Sequence, residues 1–225
     1  MLTLATQAPG EPEIFASLQG EGPSAGKPCA FVRLPRCNLA CVWCDTAYTW
    51  RFSGDNRPHR DDLAFDRQAN QLTLDEADVA ARIAALGQPR LVVTGGEPLL
   101  QGAALAKMLG LLNVSPCEGR GLRPDSAEAA RGPRLRGGAG EDGGNAIRVE
   151  IETNGTVAPH PALDPLVAQY NVSPKLAHSG NPAGLALGPE RLAAWAADPR
   201  AAFKFVVASP DDLAEVLALQ VAHAI

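Results

Sequence analysis

The sequence predicts an α/β protein built around a parallel sheet. Strand-like apolar runs alternate with helix-patterned stretches, the signature of βα units. Its polar motifs cluster at the C-terminal ends of strands, where parallel α/β folds gather their sites. At 225 residues and 46% hydrophobic content, the chain is long enough for one sizeable core, so residues 1–225 are expected to form a single domain. Residues 30–34 read as a short apolar strand. Residues 74–86 place Leu74, Ala77, Ala81, Ala84 and Ala85 at helical spacing, with Thr73 as N-cap, Glu76 as its capping-box partner and Gly87 as the stop. A second strand at 90–94 runs into Gly95-Gly96-Glu97-Pro98, and an amphipathic helix follows over 99–112. Further strands are expected at 147–152, 170–173 and 202–207, with helices over 189–197 and 211–222.

Two stretches break the alternation. Residues 50–71 form a polar, charged excursion. Residues 113–146 hold eight glycines, three prolines, five arginines and five acids, a composition that cannot bury enough apolar surface to order itself. That insertion reads as a disordered surface loop, with Cys117 a bystander in it.

Charge and cysteine usage narrow the function classes. A net charge of −5, a pI of about 5.4 and the absence of any Lys/Arg run argue against nucleic acid as a partner. The first ten residues have neither the basic nor the long apolar region of a signal peptide, and no stretch approaches a membrane span. Five cysteines without an export signal suit a reducing cytoplasm and thiolate chemistry rather than disulfides.

Three of those cysteines, Cys37, Cys41 and Cys44, fall within eight residues. A loop with this spacing converges three thiolates on one centre. Iron–sulfur clusters are normally held by four Cys thiolates, so a set of three leaves one iron open to another ligand. Zinc is the alternative and wants four Cys or His ligands, with Cys29 and His59 the nearest candidates. Asp45 and Thr46 follow directly and offer hard oxygens of the kind magnesium prefers, although on these residues alone an Asp-Thr turn cap is the better explanation.

The other motifs supply polar groups along one rim. The Gly95-Gly96 pair lets backbone approach a ligand closely, and Glu97 can accept from an ammonium group. Glu152-Thr153-Asn154-Gly155-Thr156 and Ser173-Pro174-Lys175 end later strands with hydroxyls, amides and a cation. Near the N-terminus, Gln19 and Glu21 flank Gly20, a carboxylate beside an amide that can grip a heterocycle with adjacent N–H and C=O groups. Arg33, in an apolar strand, is either an ion-pair partner or a carboxylate anchor.

Taken in order, these motifs resemble the radical S-adenosylmethionine (SAM) superfamily, and within it the 7-carboxy-7-deazaguanine synthase family. The superfamily likeness rests on Cys37, Cys41, Cys44 and Gly95-Gly96-Glu97-Pro98. The family likeness adds residues 17–23, Phe31-Val32-Arg33-Leu34, Asp45-Thr46, Glu152-Thr153-Asn154-Gly155, Ser173-Pro174-Lys175 and residues 203–207. The resemblance implies a partial (β/α) barrel of the radical SAM type and a 4Fe–4S cluster on the three cysteines. The open iron of that cluster would chelate SAM, and its reduction would generate a 5′-deoxyadenosyl radical. It places SAM against Trp43, Cys44, Asp45, Gly96, Ser173, Pro174 and Lys175. It places the substrate, 6-carboxy-5,6,7,8-tetrahydropterin, against Leu18, Gln19, Gly20, Arg33 and Thr94, and magnesium on Thr46. Hydrogen abstraction at the pterin C6 and ring contraction with loss of ammonia would give 7-carboxy-7-deazaguanine, a precursor in queuosine biosynthesis. A homodimer and a flavodoxin or ferredoxin electron donor are further implications.

The chain departs from that family at the 113–146 insertion and at its C-terminal end, which is shorter by about a strand and a following segment. It is therefore expected to lack part of the barrel wall. Two other readings compete. An activase of a glycyl-radical enzyme shares the cysteine triplet but has no need of the pterin grip or Thr46, and an inactive truncated relative would retain the motifs without turnover.

Overall fold

The computed structural model describes residues 1–115 and 146–225. Its central element is a six-stranded sheet in the order β3 (Ile14–Leu18), β4 (Pro28–Leu34), β6 (Arg90–Gly95), β7 (Arg148–Thr153), β8 (Gln169–Val172) and β9 (Ala201–Phe203). The first pair is antiparallel and all later pairs are parallel. Among the described residues the sheet stays open, with β3 and β9 at its edges, so it is part of a barrel and not a closed one.

Period-two alternation explains why the sheet has one apolar and one polar face. Val32, Val93, Ile151 and Tyr170 lie side by side in register and belong to the main core, as do Ala30, Leu91 and Val149 one step below. Helices cover this face through α2 (Glu76–Ala85), which buries Val79, Ala80 and Ile83, and α3 (Gly102–Leu109), which buries Leu105, Met108 and Leu109. In α5 (Pro189–Ala196), Leu192 and Trp195 are buried. The residues between point the other way. Phe31, Val92, Glu150 and Gln169 form one row, and Arg33, Thr94, Glu152 and Asn171 form the next toward the strands' C-terminal ends.

The N-terminal region departs from the expectation. Residues 1–18 supply three strands that the sequence reading left unassigned: β1 (Leu2–Ala8), β2 (Glu11–Pro12) and β3. β1 pairs antiparallel with β5 (Gln71–Leu74), with Thr3 opposite Thr73. This pairing overturns the capping box assigned to Thr73 and Glu76. Thr73 is inside a strand, and Asp75 caps the helix by accepting from Ala77 N at 2.9 Å. Both residues are good N-caps, and the ladder with β1 decides between them.

The excursion at 50–71 is more ordered than its polarity suggests. Trp50, Arg51 and Phe52 are buried, and Phe52 bridges Phe65. Arg60 N donates to Val42 O and His59 Nε2 bonds Cys44 O, both at 2.8 Å, so the stretch straps the cysteine loop. Two short helices, α1 (Arg67–Asn70) and α4 (Ala183–Ala186), and a terminal helix α6 (Pro210–His223) complete the fold. Most of the 113–146 insertion, including Cys117, lies outside the described residues. Its ends are joined, since Val114 bridges Ile147 and Ile147 N donates to Asn113 O at 2.7 Å.

Candidate active site

The polar face of the sheet and the cysteine loop enclose a single cavity of about 680 Å³, within the usual range for small-molecule sites. Cys37, Cys41, Cys44 and Trp43 line one side of it, and Gln19, Arg33, Thr94 and Glu152 another. The connection between the two comes from how β4 ends. Gly96 N donates to Leu34 O at 2.9 Å and Glu97 N to Arg36 O at 2.8 Å, which presses the start of the cysteine loop onto the glycine pair. A Cβ on Gly96 would sit 2.1 Å from Arg36 O, and one on Gly95, whose φ is +138°, 2.0 Å from Leu34 O. The glycines are thus required first by the chain's own backbone, a reason different from the ligand approach read from sequence, although both also border the cavity.

Burial dominates the chemistry of the thiols. It pushes Cys37 up to about 12 and Cys41 upward as well, the Lys175 ammonium and an Asn181 hydrogen bond opposing it at Cys41. Without a metal, burial keeps such thiols protonated, and metal binding draws their protons off. Each sulfur also accepts a side-chain N–H: Trp50 Nε1 to Cys44 at 3.3 Å, Asn181 Nδ2 to Cys41 at 3.3 Å, and Asn154 Nδ2 to Cys37 at 3.7 Å. This donor set fits anionic sulfur. The zinc candidates are engaged elsewhere, because Cys29 is fully buried against Ser17 O and His59 bonds Cys44 O. Among the described residues no three His, Cys, Asp or Glu side chains group around a single ion. With Cys29 and His59 engaged elsewhere, the triplet has neither candidate as a fourth ligand for zinc, whereas a cluster with one open iron asks for three cysteines.

On the side away from the cysteines, Glu152 joins the polar residues. It accepts from Thr94 Oγ1 at 2.6 Å and from Gln19 Nε2 at 3.2 Å. Arg33 places its Nε on Glu13 at 2.7 Å while bordering the cavity, so it is an ion-pair partner and a cavity residue at once. Asn171 is 2% exposed and lines the cavity, and its Nδ2 has no hydrogen-bond partner among the described residues while its Oδ1 accepts from Gln169 at 2.8 Å. Glu21 is paired with Lys204, a contact between the loop after β3 and the residue after β9 that spans the open seam of the sheet.

The remaining sequence-derived residues distribute as follows. Trp43, Asp45, Thr46, Gly20, Gly96, Ser173 and Lys175 border the cavity, whereas Leu18, 60% exposed, and Pro174 do not. Thr46 Oγ1 lies 3.6 Å from Cys44 Sγ. Lys175 Nζ donates to Ser173 O and Oγ at 2.8 and 2.7 Å, and burial holds its ammonium below the usual lysine range. Trp43 stacks on His178 with centroids 5.5 Å apart. Glu97 is a correction. It is fully buried, outside the cavity wall, and its carboxylate accepts from Leu99 N, Asn154 N and Thr153 Oγ1 at 2.8–3.0 Å. Its burial takes away its role as an ammonium acceptor and gives it one in tying the Gly-Gly turn to the end of β7. Glu152, Asn154, Asn171 and Lys204 were not singled out individually from sequence. The alternation in 148–153 was the available signal for Glu152.

Comparison with known proteins agrees with this geometry. The family model of the Radical SAM superfamily matches residues 31–169. A 7-carboxy-7-deazaguanine synthase from Pyrobaculum aerophilum is 35% identical over 214 residues, covering 95% of this chain and 73% of that protein. Another, from Hyperthermus butylicus, is 34% identical over 206 residues, covering 91% and 67%. The crystal structure of QueE from Escherichia coli superposes with a TM-score of 0.52 at 26% identity, over 96% of this chain and 78% of that one.

Proposed function

The chain belongs to the radical SAM superfamily and, within it, to the 7-carboxy-7-deazaguanine synthase family, and we propose that it converts 6-carboxy-5,6,7,8-tetrahydropterin to 7-carboxy-7-deazaguanine with loss of ammonia. The observation that carries the proposal is the shared cavity. Its sulfur-lined side can hold a cluster, and its Gln19, Arg33, Thr94 and Glu152 side can hold a small polar heterocycle, with no wall between them.

Bound together, a 4Fe–4S cluster and SAM supply one-electron reductive cleavage of the SAM sulfonium. The protein contributes ligation, orientation and shielding. Cys37, Cys41 and Cys44 are the cluster ligands. Trp43, Asp45, Gly96, Ser173 and Lys175 border the space beside them and hold SAM, with Pro174 fixing the backbone between the last two. Gln19, Gly20 and Thr94 hold the pterin, Leu18 standing just outside the wall. The Arg33 guanidinium suits the substrate carboxylate, and Glu152 accepts from the heterocycle's N–H edge. Thr46 with Asp45 provides the hard oxygens for magnesium, whose positive charge would fix the carboxylate's position during ring contraction.

The same reading takes in a homodimer and a flavodoxin or ferredoxin as electron donor; chain length supports a single domain and cysteine usage a cytoplasmic location. No helix among the described residues is long and apolar enough to cross a membrane.

The test is anaerobic reconstitution with iron and sulfide, then incubation with reductant, SAM, magnesium and the pterin. 5′-Deoxyadenosine and deazaguanine are followed by mass spectrometry. Both products are expected, both vanishing in Cys41→Ala, with deazaguanine falling sharply in Thr46→Ala. Deoxyadenosine without deazaguanine would move the substrate elsewhere, and neither product from a fully loaded protein would leave a relative without turnover.

A further inference from the structure

Each cysteine of the triplet has one side-chain N–H aimed at its sulfur from outside the loop: Trp50 at Cys44, Asn181 at Cys41 and Asn154 at Cys37. Exchanging the amide ends does not fit the surrounding bonds. Asn181 Oδ1 accepts from Ala40 N at 2.8 Å, and Asn154 Oδ1 accepts from Thr156 N at 2.9 Å, so in both residues the Nδ2 is the end that faces sulfur; its two hydrogens serve the sulfur and one oxygen, Asn38 Oδ1 at 3.0 Å for Asn154 and Ser179 Oγ at 3.1 Å for Asn181. An indole N–H only donates. Trp50 and Asn154 are 4% and 5% exposed, and in such surroundings a hydrogen bond to a charged group is stronger than in water.

The three donors come from separate parts of the chain. Trp50 opens the strap, Asn154 directly follows β7 and is held by Glu97 through its backbone N–H, and Asn181 precedes α4. A neutral thiol is a weak acceptor, so three N–H groups directed at thiols gain little. Directed at thiolates carrying a cluster's charge, each bond is charge-assisted.

We infer that Trp50, Asn154 and Asn181 are positioning residues that set the reduction potential of the cluster on Cys37, Cys41 and Cys44. The inference rests on the radical SAM reading of that site. Reduction adds one electron from a low-potential external donor and moves no atoms. The added negative charge is shared by the sulfurs, and N–H donors stabilise it, so together they raise the potential; hydrogen bonds to sulfur are one of its known determinants. Removing a donor makes the cluster harder to reduce.

The experiment uses the full chain, reconstituted anaerobically without SAM, as wild type, Trp50→Phe, Asn181→Ala and the double variant. Phenylalanine keeps an aromatic ring beside Arg57 and His59, which Trp50 contacts, and removes the donor together with part of the ring's volume. Iron content and the midpoint potential, followed by electron paramagnetic resonance, are measured in each. Each single variant is expected to lower the ratio of reduced to oxidised cluster about tenfold at a fixed solution potential, a shift of about 59 mV for a one-electron couple, and the double variant to shift further. If Asn181→Ala takes up less iron, Trp50→Phe decides alone. Fully loaded variants with unmoved or raised potentials overturn the inference and leave the family reading intact. A wild-type protein that takes up no four-iron cluster overturns both.

Discussion

Glu97 offers a quantitative test of how the site is held together. Its carboxyl is fully buried beneath the Gly-Gly turn. Burial outweighs the donors from Asn154 N, Leu99 N and Thr153 Oγ1 and pushes its pKa from the ordinary 4.5 up to about 7. Between these two values the native state binds more protons than the unfolded chain, so this group makes stability fall as pH rises from about 4.5 through 7. At 1.36 kcal/mol per pH unit the loss reaches about 3 kcal/mol. Glu97→Gln keeps the shape and one acceptor oxygen but cannot ionise. At pH 5, where the native carboxyl is mostly protonated, the variant should lie within about 1 kcal/mol of wild type, the net worth of one hydrogen bond. By pH 8 it should have gained about 3 kcal/mol relative to wild type. Urea unfolding of the metal-free protein from pH 5 to 8 measures the difference. Parallel stability curves for the two proteins would refute the reasoning, because the buried charge would then not be what titrates.

The other predictions concern the cavity directly. Gly96→Ala puts a methyl group 2.1 Å from Arg36 O and 2.5 Å from Arg36 C, backbone atoms that cannot swing aside; a cost of about 1–3 kcal/mol or more is expected. It should appear as a lower urea midpoint together with poorer iron uptake, and a wild-type midpoint would count against the tight packing of loop on turn. Glu152→Gln directs an amide N–H at Thr94 or Gln19, both donors to Glu152 now. The pterin KM should rise about 10- to 100-fold, the range for losing a hydrogen bond to a charged group, with SAM cleavage retained. An unchanged KM would remove Glu152 from the substrate grip.

Much of the site was legible because it is local. Cys37, Cys41 and Cys44 border one cavity because they share one short loop, and the Gly-Gly, Ser-Pro-Lys and Glu-Thr-Asn-Gly motifs announce strand ends. The helix starts at α5 and α6 were close to expectation, since Pro189 and Pro210 mark their first turns. The N-terminal strands were not legible. β1 gains its ladder from residues 71–74, and β3 exposes most of its length, so neither shows a clean buried pattern. Thr73 and Asp75 look alike as caps until that ladder claims Thr73. Glu97 looked like a ligand-facing acid because a sequence does not say which side of a turn a carboxylate takes.

The sequence by itself determined the motifs that carry the family resemblance: three cysteines on one short loop, polar motifs on strand ends and apolar residues at period two. Such features need only neighbours along the chain and the fixed geometry of strand and turn. Tertiary structure alone decided that Arg33, Thr94, Glu152 and Asn171 stand in one row, because that row depends on the register of four strands. It alone decided that Asn154 and Asn181 reach sulfurs 117 and 140 residues away. Contacts at that separation are set by how strands pair and helices pack across the whole fold, and no local pattern encodes the outcome.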